Sequence, residues 1–255
     1  MTNKDTSWGG VADWYDGLVG SSADSFQSKV IMPNLLRVLE PRPGMTVLDV
    51  ACGQGHFTRA FAQNGAKAVG CDISPELIAL AKKNSPPSLE FKVAPADKLS
   101  FAADKSFDAV TIVLALQNIE NLAGTLSECA RVLKPGSRLI LVLNHPAFRI
   151  PKDSSWGWDE KTNVQYRRID SYMSDSQIKI DMTPGESVHS KKKFTVSFHR
   201  PLQSYFKALN KAGFSVTRLE EWISHKQSQK GPRAAAEDRA RKEIPMFLML
   251  EAVKS

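Results

Sequence analysis

The chain has 255 residues, of which 42% are hydrophobic and 24% charged, a balance that supports one large domain, alone or with an insertion, and excludes a chain too polar to fold. No apolar run of about 18 residues is present, which argues against a transmembrane helix, and Met1 to Asp5 lacks the apolar core of a signal segment. The net charge of +7 is spread along the chain, as on a solvated basic surface, and it also leaves room for an anionic partner such as RNA or an acidic metabolite.

Residues 1–43 read as an N-terminal helical cap on a single domain spanning 1–255. Trp8 to Gly17 is short and aromatic, with Trp14 and Tyr15 inside it. A helix is predicted over 24–39, capped by Ser22 or Asp24, because Val30, Ile31, Leu35, Leu36 and Leu39 recur at helical spacing. Pro33 starts or kinks that helix, and Pro41, Pro43 and Gly44 end it. A strand over 46–50, a turn at Gly53–Gly55 and a helix over 55–64 follow, with Gly65 at the C-cap. After a strand over 67–71, Ser74-Pro75-Glu76 opens a helix: serine caps, proline fits the first turn, and glutamate suits the positive helix end.

Residues 89–93 and 107–114 read as strands, 122–133 as a helix ended by Lys134-Pro135-Gly136, and 138–143 as an almost continuously apolar strand. Such alternation implies a mostly parallel sheet with helices on both faces. Residues 146–192 break the rhythm and carry no strong period, the signature of an insertion or of a lid over a site. Regular patterning returns with a strand over 194–198, a helix over 201–212 capped by Gly213, and strands over 214–219 and 246–253. Residues 224–242 read as part loop and part helix.

The chemistry concentrates at Asp49-Val50-Ala51-Cys52-Gly53-Gln54-Gly55. In a parallel sheet, ligands sit at the carboxyl ends of the strands, and glycines there let backbone amides approach without a Cβ in the way. A dinucleotide loop continues to a third small residue, which lets helix and sheet pack beneath a pyrophosphate. Here that position is Thr58. An acid on the first strand and a second acid, Asp72, ending the next strand suit a ligand with an ammonium group and a ribose. Asp49 favours the ammonium, Ala51 to Gly55 offer amides to a carboxylate, and Asp72 accepts from ribose hydroxyls. S-Adenosylmethionine has those groups and no phosphate.

At these residues the sequence resembles the class I S-adenosylmethionine-dependent methyltransferases, in particular the small-molecule enzymes similar to those of ubiquinone and menaquinone biosynthesis. Val47 to Gly55 matches the first motif, Gly70 to Glu76 the ribose motif and Ala94 to Phe101 the adenine segment. Phe107 to Val110 and Arg131 to Leu139 match the motifs around the fourth and fifth strands. The resemblance implies a Rossmann-like, seven-stranded sheet whose last strand runs antiparallel. It implies a cofactor site of Asp49, Ala51, Cys52, Gly53, Gly55, Asp72, Ile73, Ala96, Asp97 and Leu114, with Asp97 on the adenine amine. Tyr15 resembles an N-terminal element closing over the cofactor, or else packs in the core. Where relatives carry a histidine pair after strand four, this chain has Leu116-Gln117-Asn118-Ile119.

The acceptor side is less defined. His145 either takes a proton from the acceptor or is satisfied by neighbouring backbone. Gln117 and Asn118 orient an acceptor or cap the following helix. Trp156, Trp158, Tyr166 and Tyr172 wall a pocket or anchor the segment 146–192. Arg167, Arg168, Lys191 to Lys193 and the stretch 226–242 serve solubility or an anionic substrate.

Taken together, these features predict an enzyme methylating oxygen, nitrogen or carbon of a small organic acceptor. The alternatives are methylation of RNA or protein and a non-catalytic subunit that binds S-adenosylmethionine. The odd count of 3 cysteines, Cys52, Cys71 and Cys129, without metal spacing predicts no disulfide framework and no metal site, and a reducing cytoplasm. A monomer and a homodimer both fit.

Overall fold

The computed structural model describes residues 24–182 and 194–255. Tyr15, Trp14, Ser22 and Lys191 to Lys193 lie outside the described residues. The main sheet has seven strands in the order β10-β11-β5-β4-β1-β2-β3. Its members are β1 (Thr46–Val50), β2 (Lys67–Asp72), β3 (Glu90–Val93), β4 (Phe107–Val113), β5 (Leu133–Asn144), β10 (Phe214–Trp222) and β11 (Phe247–Lys254). β1 to β5 pair in parallel, whereas β11 runs antiparallel to both β5 and β10. The strand order reverses between β1 and β4, which opens a crevice at the carboxyl edge there.

Alternation along each strand builds two cores. Val47, Ala109, Val113, Ile140, Val142 and Met249 face one side, where α1 (Met32–Leu39) and α2 (His56–Gln63) bring Leu35, Leu39, Phe57 and Phe61. Leu48, Val50, Val110, Ile112, Leu139 and Leu141 face the other. There α4 (Leu122–Val132) supplies Leu126 and Cys129, and α5 (Leu202–Lys211) supplies Tyr205 and Leu209. Between β2 and β3, α3 (Pro75–Lys83) starts as its sequence predicts: Ser74 Oγ accepts from the N–H of Leu77 at 3.2 Å.

Several local expectations need correction. The predicted helix over 24–39 is a π-helical turn at Gln27–Ile31 running without a break into α1, with Pro33 just after the junction, where the i to i−4 ladder is already interrupted. Asp24 does not cap it; its carboxylate engages His225 and Lys226 instead. The strand predicted to begin at 138 begins at Leu133 directly from α4, because Gly136 takes φ of +74° and carries the irregular pairing with β4.

Most of all, the segment 146–192 is not patternless. It holds the hairpin of β6 (Ser154–Asp159) and β7 (Val164–Ile169), and β8 (Ser176–Asp181), which pairs antiparallel with β9 (Phe194–His199). These short two-stranded ribbons have mixed faces, so alternation gives little signal. α6 (Ala234–Glu243) precedes β11.

Candidate functional site

At the carboxyl edge a cavity of about 390 Å3 opens over the ends of β1, β2 and β4. The chain turns sharply at each of its walls. Ala51 and Leu114 are non-glycine residues with positive φ, 56° and 53°, and Gly53 and Gly55 take 55° and 78°. Left-handed backbone at a non-glycine residue costs about 1–2 kcal/mol, and such strain gathers where a ligand must be met. Gly55 has a further reason to be glycine: a Cβ there would lie 2.6 Å from the Phe91 ring.

Asp49 is 1% exposed, and both its oxygens are held by hydroxyls. Thr58 Oγ1 donates to Oδ2 at 2.6 Å and Thr111 Oγ1 donates to Oδ1 at 2.9 Å. Burial outweighs those bonds and pushes the Asp49 carboxyl up to about 6. Asp72 is 7% exposed and is held by backbone: Gly53 N–H donates to Oδ2 and Ser74 N–H to Oδ1, each at 2.9 Å. Burial raises this carboxyl also, against the pull of those amides. Asp97 sits further out, where Asn121 Nδ2 donates to its Oδ2 at 2.8 Å. Cys52 is free, and burial raises its thiol well above the ordinary value, which suits a wall rather than a nucleophile.

The structure therefore brings Asp49, Ala51, Cys52, Gly53, Asp72, Ile73, Ala96, Asp97, Leu114 and Asn118 to one cavity. Gly55 stands behind the turn, packed on Phe91 rather than on the cavity. His56 completes the floor, and its Nε2 is buried with no partner among the described residues. Sequence reasoning did not single out His56; its position as the first residue of α2, next to the turn, was the available signal.

The acceptor-side expectations fare differently. His145 does not line the cavity. Its Nε2 meets Glu221 Oε1 at 2.7 Å, its Nδ1 accepts from Ala147 N–H at 3.2 Å, and its ring packs on Phe148. Both nitrogens are therefore engaged within the protein. Gln117 does not line the cavity either; its Nε2 donates to Leu114 O at 2.6 Å and helps fix that strained turn.

None of Trp156, Trp158, Tyr166 or Tyr172 reaches the cavity. Arg167 stacks on Trp156 and Arg233 on Trp158, Tyr166 is exposed against Gly157, and the Tyr172 hydroxyl accepts from Leu202 N–H at 3.0 Å. The wall facing the cavity comes from Gln177 of β8 and Val196 and Phe198 of β9. Arg200 clamps that hairpin by donating to Ile119 O and Glu120 O, in the neighbouring loop that also lines the cavity. Among the described residues no cluster of three or more metal-ligating side chains occurs.

The donor set fits S-adenosylmethionine. Buried carboxylates suit its positive and hydroxylated groups, and the orphaned His56 nitrogen waits for a polar partner. The loop amides expected to meet its carboxylate are largely spent within the protein: Cys52 N–H donates to Cys71 O, Gly53 N–H to Asp72 Oδ2 and Gly55 N–H to Cys52 O, each at 2.9 Å.

Comparison with known proteins agrees with this geometry. Residues 48–141 match the family described as "Methyltransferase domain". A demethylmenaquinone methyltransferase of Streptomyces avermitilis is 36% identical over 139 residues, 54% of this chain and 59% of that protein. The enzyme of the same name from Tropheryma whipplei is 40% identical over 113 residues, 43% of this chain and 46% of its own. The match thus spans about half the length of these curated relatives. Among solved structures, an S-adenosylmethionine-dependent methyltransferase from Mesorhizobium loti superposes with a TM-score of 0.71 at 26% identity, covering 90% of this chain and 98% of that one. Sheet order, the acid-lined loop and these likenesses together show a methyltransferase domain over residues 48–141 and a fold similar to that of S-adenosylmethionine-dependent methyltransferases.

Proposed function

We propose that the protein transfers a methyl group from S-adenosylmethionine to a nucleophilic oxygen, nitrogen or carbon of a small organic acceptor. The observation that carries this reading is the cavity wall on which Asp49, Asp72 and Asp97 converge around a strained glycine turn. When bound, S-adenosylmethionine supplies a methyl group already activated by its sulfonium. The chain's own residues then bind and align. Asp49, fixed between Thr58 and Thr111, favours the positive end of the donor. Asp72 keeps lone pairs for ribose hydroxyls while backbone amides hold it in place, and Asp97 faces the base. Val113, Leu114 and Phe198 provide apolar walls that keep water from the reacting atoms.

No titratable base is needed for the alignment, and His145, engaged on both nitrogens, is left to structure. The acceptor is read as a small molecule because Gln177, Val196 and Phe198 line one concave cavity with the acids and Arg200 fixes their hairpin to the loop after β4. The named relatives act on demethylmenaquinone. Their acceptor does not carry over directly, since Gln177, Val196 and Phe198 lie outside the matched residues 48–141. We place the hairpin β8–β9 as the acceptor-side lid. The free, buried Cys52, Cys71 and Cys129 support a reducing cytoplasm as the compartment, and among the described residues no helix is long and apolar enough to cross a membrane.

Calorimetric titration with S-adenosylmethionine and S-adenosylhomocysteine tests the reading. Binding of both is expected, with loss of both on substituting Asp72. A protein that binds neither overturns it.

A further inference from the structure

A second cavity, of about 350 Å3, lies where the chain leaves β5 and enters β11, and its lining shares no residue with the cavity above. Four cations reach it: Arg149, Arg167, Lys226 and Arg241. Two of these are neutralised. Asp24 holds Lys226, and Asp238 and Glu237 hold Arg241.

Arg149 and Arg167 have no carboxylate partner among the described residues. Arg149 Nη1 donates to the neutral Asn144 Oδ1 at 2.9 Å, and its guanidinium sits 5.7 Å from the Phe247 ring centre. Arg167 Nε donates to Phe148 O at 2.8 Å and Nη2 to Ser154 Oγ at 2.7 Å, while the guanidinium stacks 5.2 Å over Trp156.

Guanidinium groups withdrawn from water are costly unless charge meets them. Burial, and then the charge of Arg167, push the Arg149 guanidinium below its ordinary value, and burial does the same to Arg167. The neutral anchors hold both groups in place before any ligand arrives, so little ordering remains to oppose binding. Planar guanidinium forks match the oxygens of a carboxylate or phosphate. Trp156, Phe148 and Met246 give the same cavity an aromatic and apolar wall. A concave site with one uncompensated pair of cations fits a compact ligand better than the extended phosphate track of a nucleic acid.

We propose that this cavity is an oxyanion-binding site for a carboxylate or phosphate carried on a small, flat apolar body, with Arg149 and Arg167 as its anchors and Trp156 as its wall. The site stands apart from the methyl-donor reading, because neither its residues nor its ligand chemistry depend on that cavity.

Calorimetry on the full chain with benzoate, phenyl phosphate and neutral benzamide tests it. The anions are expected to bind roughly tenfold or more tightly than benzamide and to weaken as salt rises. The ratio of the two anions tells a carboxylate site from a phosphate site. Arg167→Met is expected to lower anion affinity at least roughly tenfold and Arg167→Lys to restore part of it, with S-adenosylhomocysteine affinity unchanged in both. The wild-type comparison needs no variant, so a misfolded substitution does not shield the idea. Equal binding of benzoate and benzamide, no binding of either anion, or unchanged benzoate affinity in folded Arg167→Met overturns it.

Discussion

Thr58 donates its hydroxyl to Asp49 across 2.6 Å, joining the first turn of α2 to β1. A dinucleotide loop keeps this position small for helix–sheet contact. Here the side chain holds an acid instead, which is the feature the proposed binding of a positive ligand end rests on. With Thr111 on the other oxygen, Asp49 is oriented before a ligand arrives.

That arrangement has a measurable pH signature. The ordinary value of 3.8 rises to about 6 in the fold because of burial, so the folded state binds the proton more tightly than the unfolded chain. The contribution of Asp49 to stability is therefore fully present below pH 3.8 and lost as pH rises through about 6, a change on the order of 3 kcal/mol. Asp49→Asn should remove this slope, so its stability relative to wild type should improve between those pH values. Urea unfolding of both proteins across the window checks this; parallel curves contradict it. If Asp49 meets a cation, affinity for S-adenosylmethionine should also rise from pH 5 to 7 in the wild type and stay flat in the variant.

Asp72 separates binding from folding in a different way. Asp72→Ala leaves the Gly53 and Ser74 amides without their acceptor, and a buried unpaired donor costs about 1–3 kcal/mol. Asp72→Asn keeps an amide oxygen for one of them. Both variants should lose at least roughly tenfold in affinity for S-adenosylhomocysteine, while only the alanine form should lose much stability. Thermal unfolding beside calorimetry gives the two readouts. Affinity that tracks melting temperature alone would make Asp72 a purely structural residue.

The cavity wall formed by the acids and the glycine turn was legible because its signals are local. An acid-ended strand, a glycine turn and a capped helix are each written within about ten residues, and backbone geometry fixes where they point. The wall from β8 and β9 was not. Gln177 and Phe198 meet the cavity only through a hairpin whose strands lie on either side of residues 183–193, and nothing in their short mixed-face pattern announces the pairing. Aromatic content was no guide to this cavity either: Trp156 and Trp158, read as a pocket wall or as anchors of their segment, stack on arginines and do not reach it. His145 stands at the carboxyl end of β5, as expected, but the side chain is committed to Glu221, a partner far along the sequence.

Gly55 tests whether the turn is set by sterics. Alanine there must adopt φ near +78° and place Cβ 2.6 Å from the Phe91 ring. The backbone term alone costs about 1–2 kcal/mol, and the contact adds to it. Phe91→Leu in the same chain should recover part of the contact cost but none of the backbone cost. A double variant no more stable than Gly55→Ala would show that Phe91 is not the obstacle.

His145 should matter for stability and little for turnover. Burial lowers its value from 6.5, so its contribution is present above pH 6.5 and is lost as pH falls through the lower folded value. His145→Asn should destabilise by about 1–3 kcal/mol through the lost Glu221 contact and leave kcat within about threefold. A large fall in kcat with the melting temperature unchanged would return the residue to catalysis.

Phe198 and Gln177 lie on the wall that the matched methyltransferase domain does not include, so they should govern the acceptor and not the donor. Arg200 stacks 5.2 Å over the Phe198 ring while its Nη2 holds the loop at Ile119 and Glu120, so this one cation ties the hairpin to the loop after β4. Phe198→Ala removes the apolar wall and the surface on which Arg200 rests. It should raise KM for the acceptor roughly tenfold or more and change S-adenosylhomocysteine affinity less than about twofold. Tyr166→Ala is the control, since Tyr166 is 47% exposed on the other hairpin and reaches neither wall. Equal effects of Phe198→Ala on donor and acceptor would mean that the hairpin closes over the whole cavity, and would move the acceptor's specificity elsewhere.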